Sequence, residues 1–135
     1  MNKNEMLYTL WNKHTDSWTT KTIHTGIELA NKTIMNLDDF ALKWLDTKDG
    51  FRLGQVKIIV SFTGSRAANM AVCRIKEGDN FWVPYITPGL FARVSGDAKL
   101  YAVLKDNTNH FLNSPIAFTA GQTLTIYGTS FFVKT

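Results

Sequence analysis

The chain has 135 residues, 44% hydrophobic and 13% aromatic, with a formal net charge of +4. This composition excludes a disordered polymer and describes one domain, residues 1–135, that can bury a core without disulfide or metal staples. The fifteen Lys and Arg are scattered with no two adjacent, so a solvated, mildly basic surface is expected rather than a nucleic-acid-binding face.

Residues 1–11 carry no signal-peptide hydrophobic stretch, and no apolar run is long enough for a membrane-spanning helix. Synthesis in the cytoplasm and no membrane partner are the expectations. Residues 6–34 are rich in Thr, Trp and Lys. They read as loose strands at 6–11, 17–23 and 27–30, with turns at 12–16 and 24–26.

Residues 36–47 are ambiguous. Leu37, Phe40, Ala41, Trp44 and Leu45 fall at i, i+3, i+4, i+7 and i+8, with Asn36 placed as an N-cap and Asp38 and Asp39 in the first turn. That is an amphipathic helix pattern. The competing reading is a strand from Phe40, with Phe40, Leu42 and Trp44 on one face and Lys43 on the other. Local pattern favours the helix. A turn over 46–50 follows, with Asp49-Gly50 as its strongest signal.

From Gln55 onward, period-two alternation dominates. Val56, Ile58, Val60 and Phe62 point one way, Lys57, Ser61 and Thr63 the other, and Ile59 breaks the pattern. Similar runs occupy 70–76, 81–86, 90–94, 100–105, 116–119 and 123–133, with glycine or Asn/Asp turns between them. Gly128 is expected to bulge or bend the final strand. The lone cysteine, Cys73, shares a strand face with Ala71 and Ile75 and reads as a small core residue. Strands at a spacing of about ten residues predict an all-β, antiparallel sandwich, jelly-roll-like, of eight to ten strands with at most one short helix.

Several segments resemble a known family. Leu7-Tyr-Thr-Leu-Trp11, Thr22-Ile-His-Thr-Gly-Ile-Glu-Leu29, Leu37-Asp-Asp-Phe-Ala-Leu-Lys-Trp44 and Gly121-Gln-Thr-Leu-Thr-Ile-Tyr-Gly128 are similar to a strand pattern in small β-sandwich virion domains of tailed bacteriophages, found in tail fibres, baseplates and head fibres. The resemblance covers about two-thirds of the chain and has no invariant functional residue to carry over. It implies a strand at 40–46, a location in the virion, and a non-enzymatic role as a host-surface recognition module or a capsid or tail decoration protein. Other virion proteins would be its partners. A stand-alone carbohydrate-binding module or lectin is the first alternative; a small hydrolase with a site assembled only in three dimensions is the second.

Catalytic signatures are missing from the sequence: no glycine-rich phosphate loop, no Gly-x-Ser-x-Gly and no His-Glu-x-x-His occurs. His14, His24 and His110 are far apart and read as polar loop residues. His14-Thr-Asp16 offers two metal ligands without a third. Asp46-Thr-Lys-Asp-Gly50 has the wrong register for a calcium loop, and Asp38 and Asp39 read as turn or surface carboxylates. No cofactor or metal is expected.

The aromatic residues are the remaining lead. Trp82 and Tyr85 flank Pro84 on a short strand and fall on opposite faces, so one points outward. Trp18 lies among Ser, Thr and Lys. If the chain binds a glycan, Trp82, Tyr85 and Trp18 are the expected stacking platforms. Asn107 and Asn109 of the 106–110 loop are the expected hydrogen-bond partners. Packing of Trp82 and Trp18 in the core or between subunits is the rival. Phe131 and Phe132 must point to opposite sides of the last strand, so one of them needs cover outside the core. A homotrimer is the resulting expectation, with a pentamer or dimer as alternatives.

Overall fold

A computed structural model describes residues 19–20, 25–46, 50–85, 89–106 and 108–135. These form eleven strands and no helix: β1 Thr19–Thr20, β2 Thr25–Leu29, β3 Met35–Asp46, β4 Phe51–Phe62, β5 Ala71–Glu77, β6 Asn80–Pro84, β7 Leu90–Val94, β8 Tyr101–Ala102, β9 Leu104–Lys105, β10 Leu112–Asn113 and β11 Thr123–Lys134. Every pairing is antiparallel. The all-β, sandwich-like class read from the alternation is the class observed. The strands expected at 6–11 and 17–23 lie outside the described residues except for β1, as do Trp11, His14 and His24.

The helical pattern at 37–45 is a strand, and its deceptive spacing has a local cause. In β3 the register passes from Leu37↔Val60 to Asp39↔Ile59, which leaves Asp38 unpaired in a β-bulge. One extra residue turns the strand spacing of two into the three-residue step from Leu37 to Phe40 that reads as a helical turn. Beyond the bulge Leu42 and Trp44 are buried, while Ala41 and Lys43 are exposed. Two smaller expectations also change. The run at 116–119 is no strand, because Phe118 makes only an isolated bridge to Arg66. The run at 100–105 breaks into β8 and β9 around the buried Val103.

Strand β11 organises the molecule. One edge pairs with β4 along its length, from Thr123↔Ser61 to Val133↔Phe51. The other edge divides, residues 124–128 pairing with β7 and residues 132–134 with β6. Gly128 sits at this fork with φ of 142°, and a Cβ there would collide with the carbonyl oxygen of Gly89. The β7 branch continues to β8. The β6 branch continues to β5, whose far edge takes β2 and whose remaining near edge takes β10 and then β9.

Inward residues of both branches meet in one core. Val56, Ile58, Val60 and Phe62 of β4 face it together with Leu124, Ile126 and Phe132 of β11 and Cys73 and Ile75 of β5. Trp44 meets Phe132 edge-on, with ring centroids 5.1 Å apart, and lies directly over Gly54, where any Cβ would strike its ring. Phe62 and Phe118 stack at 4.2 Å. Cys73 is fully buried, and desolvation pushes its thiol pKa up to about 12, so it stays protonated and acts as packing.

Candidate functional site

The aromatic residues singled out in the sequence separate. Trp82 is 6% exposed and belongs to the core, as its inward parity on β6 requires. Its ring lies 6.1 Å from that of Trp44, and the Arg52 guanidinium covers it at 4.0 Å while pairing with Glu77 at 2.7 Å. No ring face is left for a sugar, which corrects the expectation of a stacking platform at Trp82. Tyr85 is the outward member of the pair, 56% exposed and edge-on to Phe51 at 5.0 Å.

Asn109 is exposed; its backbone N–H donates to the Asp106 carboxylate (3.2 Å), and its carbonyl accepts from Arg74 (3.0 Å). Tyr85 and Asn109 share the outer side of β6 but at opposite ends. His110 stacks on Phe81, four residues before Tyr85, so they lie roughly 13 Å apart along the strand at ~3.3 Å per residue. Trp18 and Asn107 lie outside the described residues.

Arg74 builds a closed cluster at the Phe81 end. Its guanidinium lies 4.0 Å from the Phe81 ring and 4.5 Å from the Phe111 ring, and Nη2 donates to Glu28 at 2.6 Å. Lys76 adds a second cation 3.6 Å from the same carboxylate. The Arg74 hydrogen bond, with the nearby positive charges, holds the Glu28 carboxyl below its ordinary pKa. One side chain thus ties β2, β5, β6 and residues 109–111 together, and its charge is answered within the cluster.

The outer face of β3, β4, β11 and β7 is open by comparison. Strand register places outward residues in rows across it: Leu45–Leu53–Phe131, then Lys43–Gln55–Thr129, Ala41–Lys57–Tyr127–Phe91, and Asp39–Ile59–Thr125–Arg93. The first row is wholly apolar. Tyr85 extends it, donating its backbone N–H to the Phe131 carbonyl at 2.7 Å, and Phe131 remains 45% exposed while Phe132 is fully buried.

Behind that row the small Ala41 leaves a depression of about 440 Å³, bounded by Lys43, Gln55, Lys57, Thr125 and Tyr127. A second depression of about 500 Å³ adjoins it through Thr125 and is lined by Arg93, Ser95, Asp97 and Thr123. The Asp97 carboxylate accepts from the Lys99 N–H (2.9 Å) and the Tyr101 hydroxyl (2.7 Å), and these bonds hold its pKa below the ordinary value. Among the described residues, no group of three or more His, Cys, Asp or Glu is placed to hold a metal ion.

Sequence reasoning missed this face because its residues come from four strands. Lys43, Lys57 and Arg93 are far apart in the chain and converge only through cross-strand register. The available signal was the outward set of each alternating run, Gln55 and Lys57 or Thr125 and Tyr127, read as a surface rather than as the back of a core strand. No protein-family model, curated protein or solved structure matches the chain.

Proposed function

We propose that the chain is a non-catalytic, self-associating binding domain that serves as a virion component of a tailed phage, a host-surface recognition or decoration module. The observation that carries this reading is the apolar outer row Leu45–Leu53–Phe131, extended by Tyr85, on the face opposite the core. Covering a large apolar side chain is worth roughly 1.5–3 kcal/mol, and here two exposed aromatic rings adjoin two half-buried leucines. No charged residue interrupts the row, so its natural cover is another apolar surface. The same row on further copies, brought together around a symmetry axis, supplies one. A homotrimer is the proposed assembly.

The virion assignment is supported by the likeness of 7–11, 22–29, 37–44 and 121–128 to phage sandwich modules. Mass spectrometry of purified particles tests it: recovery of the polypeptide in stoichiometric amount is expected, and its absence from particles overturns it. Light scattering tests the assembly, where a stable monomer at micromolar concentration counts against self-association. Turnover of an ester or polysaccharide by the purified protein would remove the non-catalytic reading.

A further inference from the structure

We infer that the paired depressions around Thr125 form a binding groove for a carboxylate-bearing polysaccharide, a chain of acidic pyranose sugars. This rests on the proposed recognition role and gives it a ligand class and a location distinct from Trp82 and the 106–110 loop. Three features carry it. The groove is elongated, since depressions of about 440 and 500 Å³ share Thr125, and so suits several units of an extended polymer.

Its cations are available. Among the described residues neither Lys43 nor Arg93 lies within 4.0 Å of a carboxylate, and Lys57 is only at that limit from Asp39, with both side chains more than half exposed. The carboxylates nearby are turned to neutral donors: Asp38 accepts from the Ser61 hydroxyl at 3.0 Å, and Asp97 from the Lys99 backbone N–H and the Tyr101 hydroxyl. Those hydrogen bonds fix the carboxylates in place but leave them charged, so the attraction for an anion rests on number: Lys43, Lys57 and Arg93 line the two depressions against the single carboxylate of Asp97.

Tyr127 supplies the third feature. It stands half-buried in the cross-strand row, flanked in register by Lys57 and Phe91, with Thr125 and Gln55 as hydroxyl and amide partners on the same face. A pyranose has an apolar face to lay on a ring and hydroxyls for Thr and Gln, and its carboxylate answers the lysines. A poly(glycerol phosphate) has the charge without the ring. A single-stranded nucleic acid requires a series of stacking platforms and a continuous cationic track, and Asp38 and Asp39 interrupt the track at one end.

The test is isothermal titration of the full chain with oligogalacturonate, with neutral dextran oligosaccharide, poly(glycerol phosphate) and a single-stranded oligonucleotide as comparison probes. Oligogalacturonate is expected to bind, more weakly as salt rises, while the other three bind at least about ten-fold less tightly. Lys43→Ala/Lys57→Ala and Tyr127→Ala, each verified as folded by circular dichroism, are each expected to weaken binding about ten-fold or more, whereas Lys134→Ala, at the exposed far end of β11, leaves it unchanged. Equal binding of dextran, stronger binding of either phosphate polymer, no binding of oligogalacturonate, or indifference to the groove variants would each overturn the inference. Those failures leave the virion reading standing, because particle composition and oligomeric state are measured separately.

Discussion

The two outer faces of this molecule treat arginine and lysine in opposite ways. On β2, β5 and β6, Arg74 is enclosed by two rings and a carboxylate. On β3, β4, β11 and β7, Lys43, Lys57 and Arg93 stand over shallow depressions with little to neutralise them. The difference teaches that a charge in the same kind of strand position can be a clamp or a contact surface. Which it becomes depends on whether a neighbouring element brings its counterpart. Around Arg74 residues 109–111 close over the sheet; over Tyr127 no described element does. Substitutions should therefore cost stability on the first face and interactions on the second.

The largest effect is expected where the two branches part. Gly128→Val places a side chain against the Gly89 carbonyl in a backbone conformation that L-residues rarely adopt. A loss of about 3 kcal/mol or more is expected by urea denaturation, enough to perturb both faces at once. Arg74→Met, which keeps the stem and loses the charge, should cost about 2 kcal/mol, since the Glu28 carboxylate and both rings lose their partner. A change below about 0.5 kcal/mol in the same measurement would show that the cluster is decoration rather than a clamp.

Acidification should act on the enclosed face in a defined direction. Glu28 has a folded-state pKa below its ordinary 4.5, so its contribution is present above that value and is lost as pH falls through the depressed folded pKa. Asp106, held low by hydrogen bonds to backbone N–H groups, adds a loss of the same sign beside this face, and Asp97 adds one on the open face. Thermal melting across pH 5 to about 2 is expected to show falling stability, with the slope reduced in Glu28→Gln. An unchanged slope would show that the ion pair contributes nothing to folding.

The smallest stability effect is expected on the open face. Phe131→Ser should change monomer stability by less than about 0.5 kcal/mol while shifting the oligomer toward monomer in light scattering. A variant that unfolds instead would assign Phe131 to the fold and remove the contrast between the faces.

Sequence alone revealed what depends on alternation within one strand. β4 was legible from Val56 to Phe62 and β11 through Leu124, Ile126 and Phe132, where inward residues are apolar, while Arg52 and Gly54 on the inward side hid the first four residues of β4; β7 was legible to its boundaries. The bulge at Asp38 hid β3, since one inserted residue shifts a two-residue period into a helical one. β10 was missed because two residues carry no period, and its place is set by pairing with β5 and β9. Tyr85 was readable as one of an outward–inward pair, but which member faced the core depended on the register of β6 against β11. Lys57 and Tyr127 stood in strands that were read correctly, yet their adjacency is a property of pairing across about seventy residues.

The position of β11 also bears on how the chain reaches this structure. β3 and β4 are neighbours in sequence and can pair early as a local hairpin, but β4 finds its second partner only about sixty residues later. Both branches of the sheet then depend on that one arrival, since among the described residues β11 is the strand with which both β6 and β7 pair. Closing such a loop costs entropy before any contact repays it, which places the molecule among slow-folding, high-contact-order topologies with relaxation in the range of about milliseconds to seconds. Until β11 docks, the edge of β4 that carries Ile58 and Val60 remains open to strands from other chains, making concentration during refolding a determinant of yield.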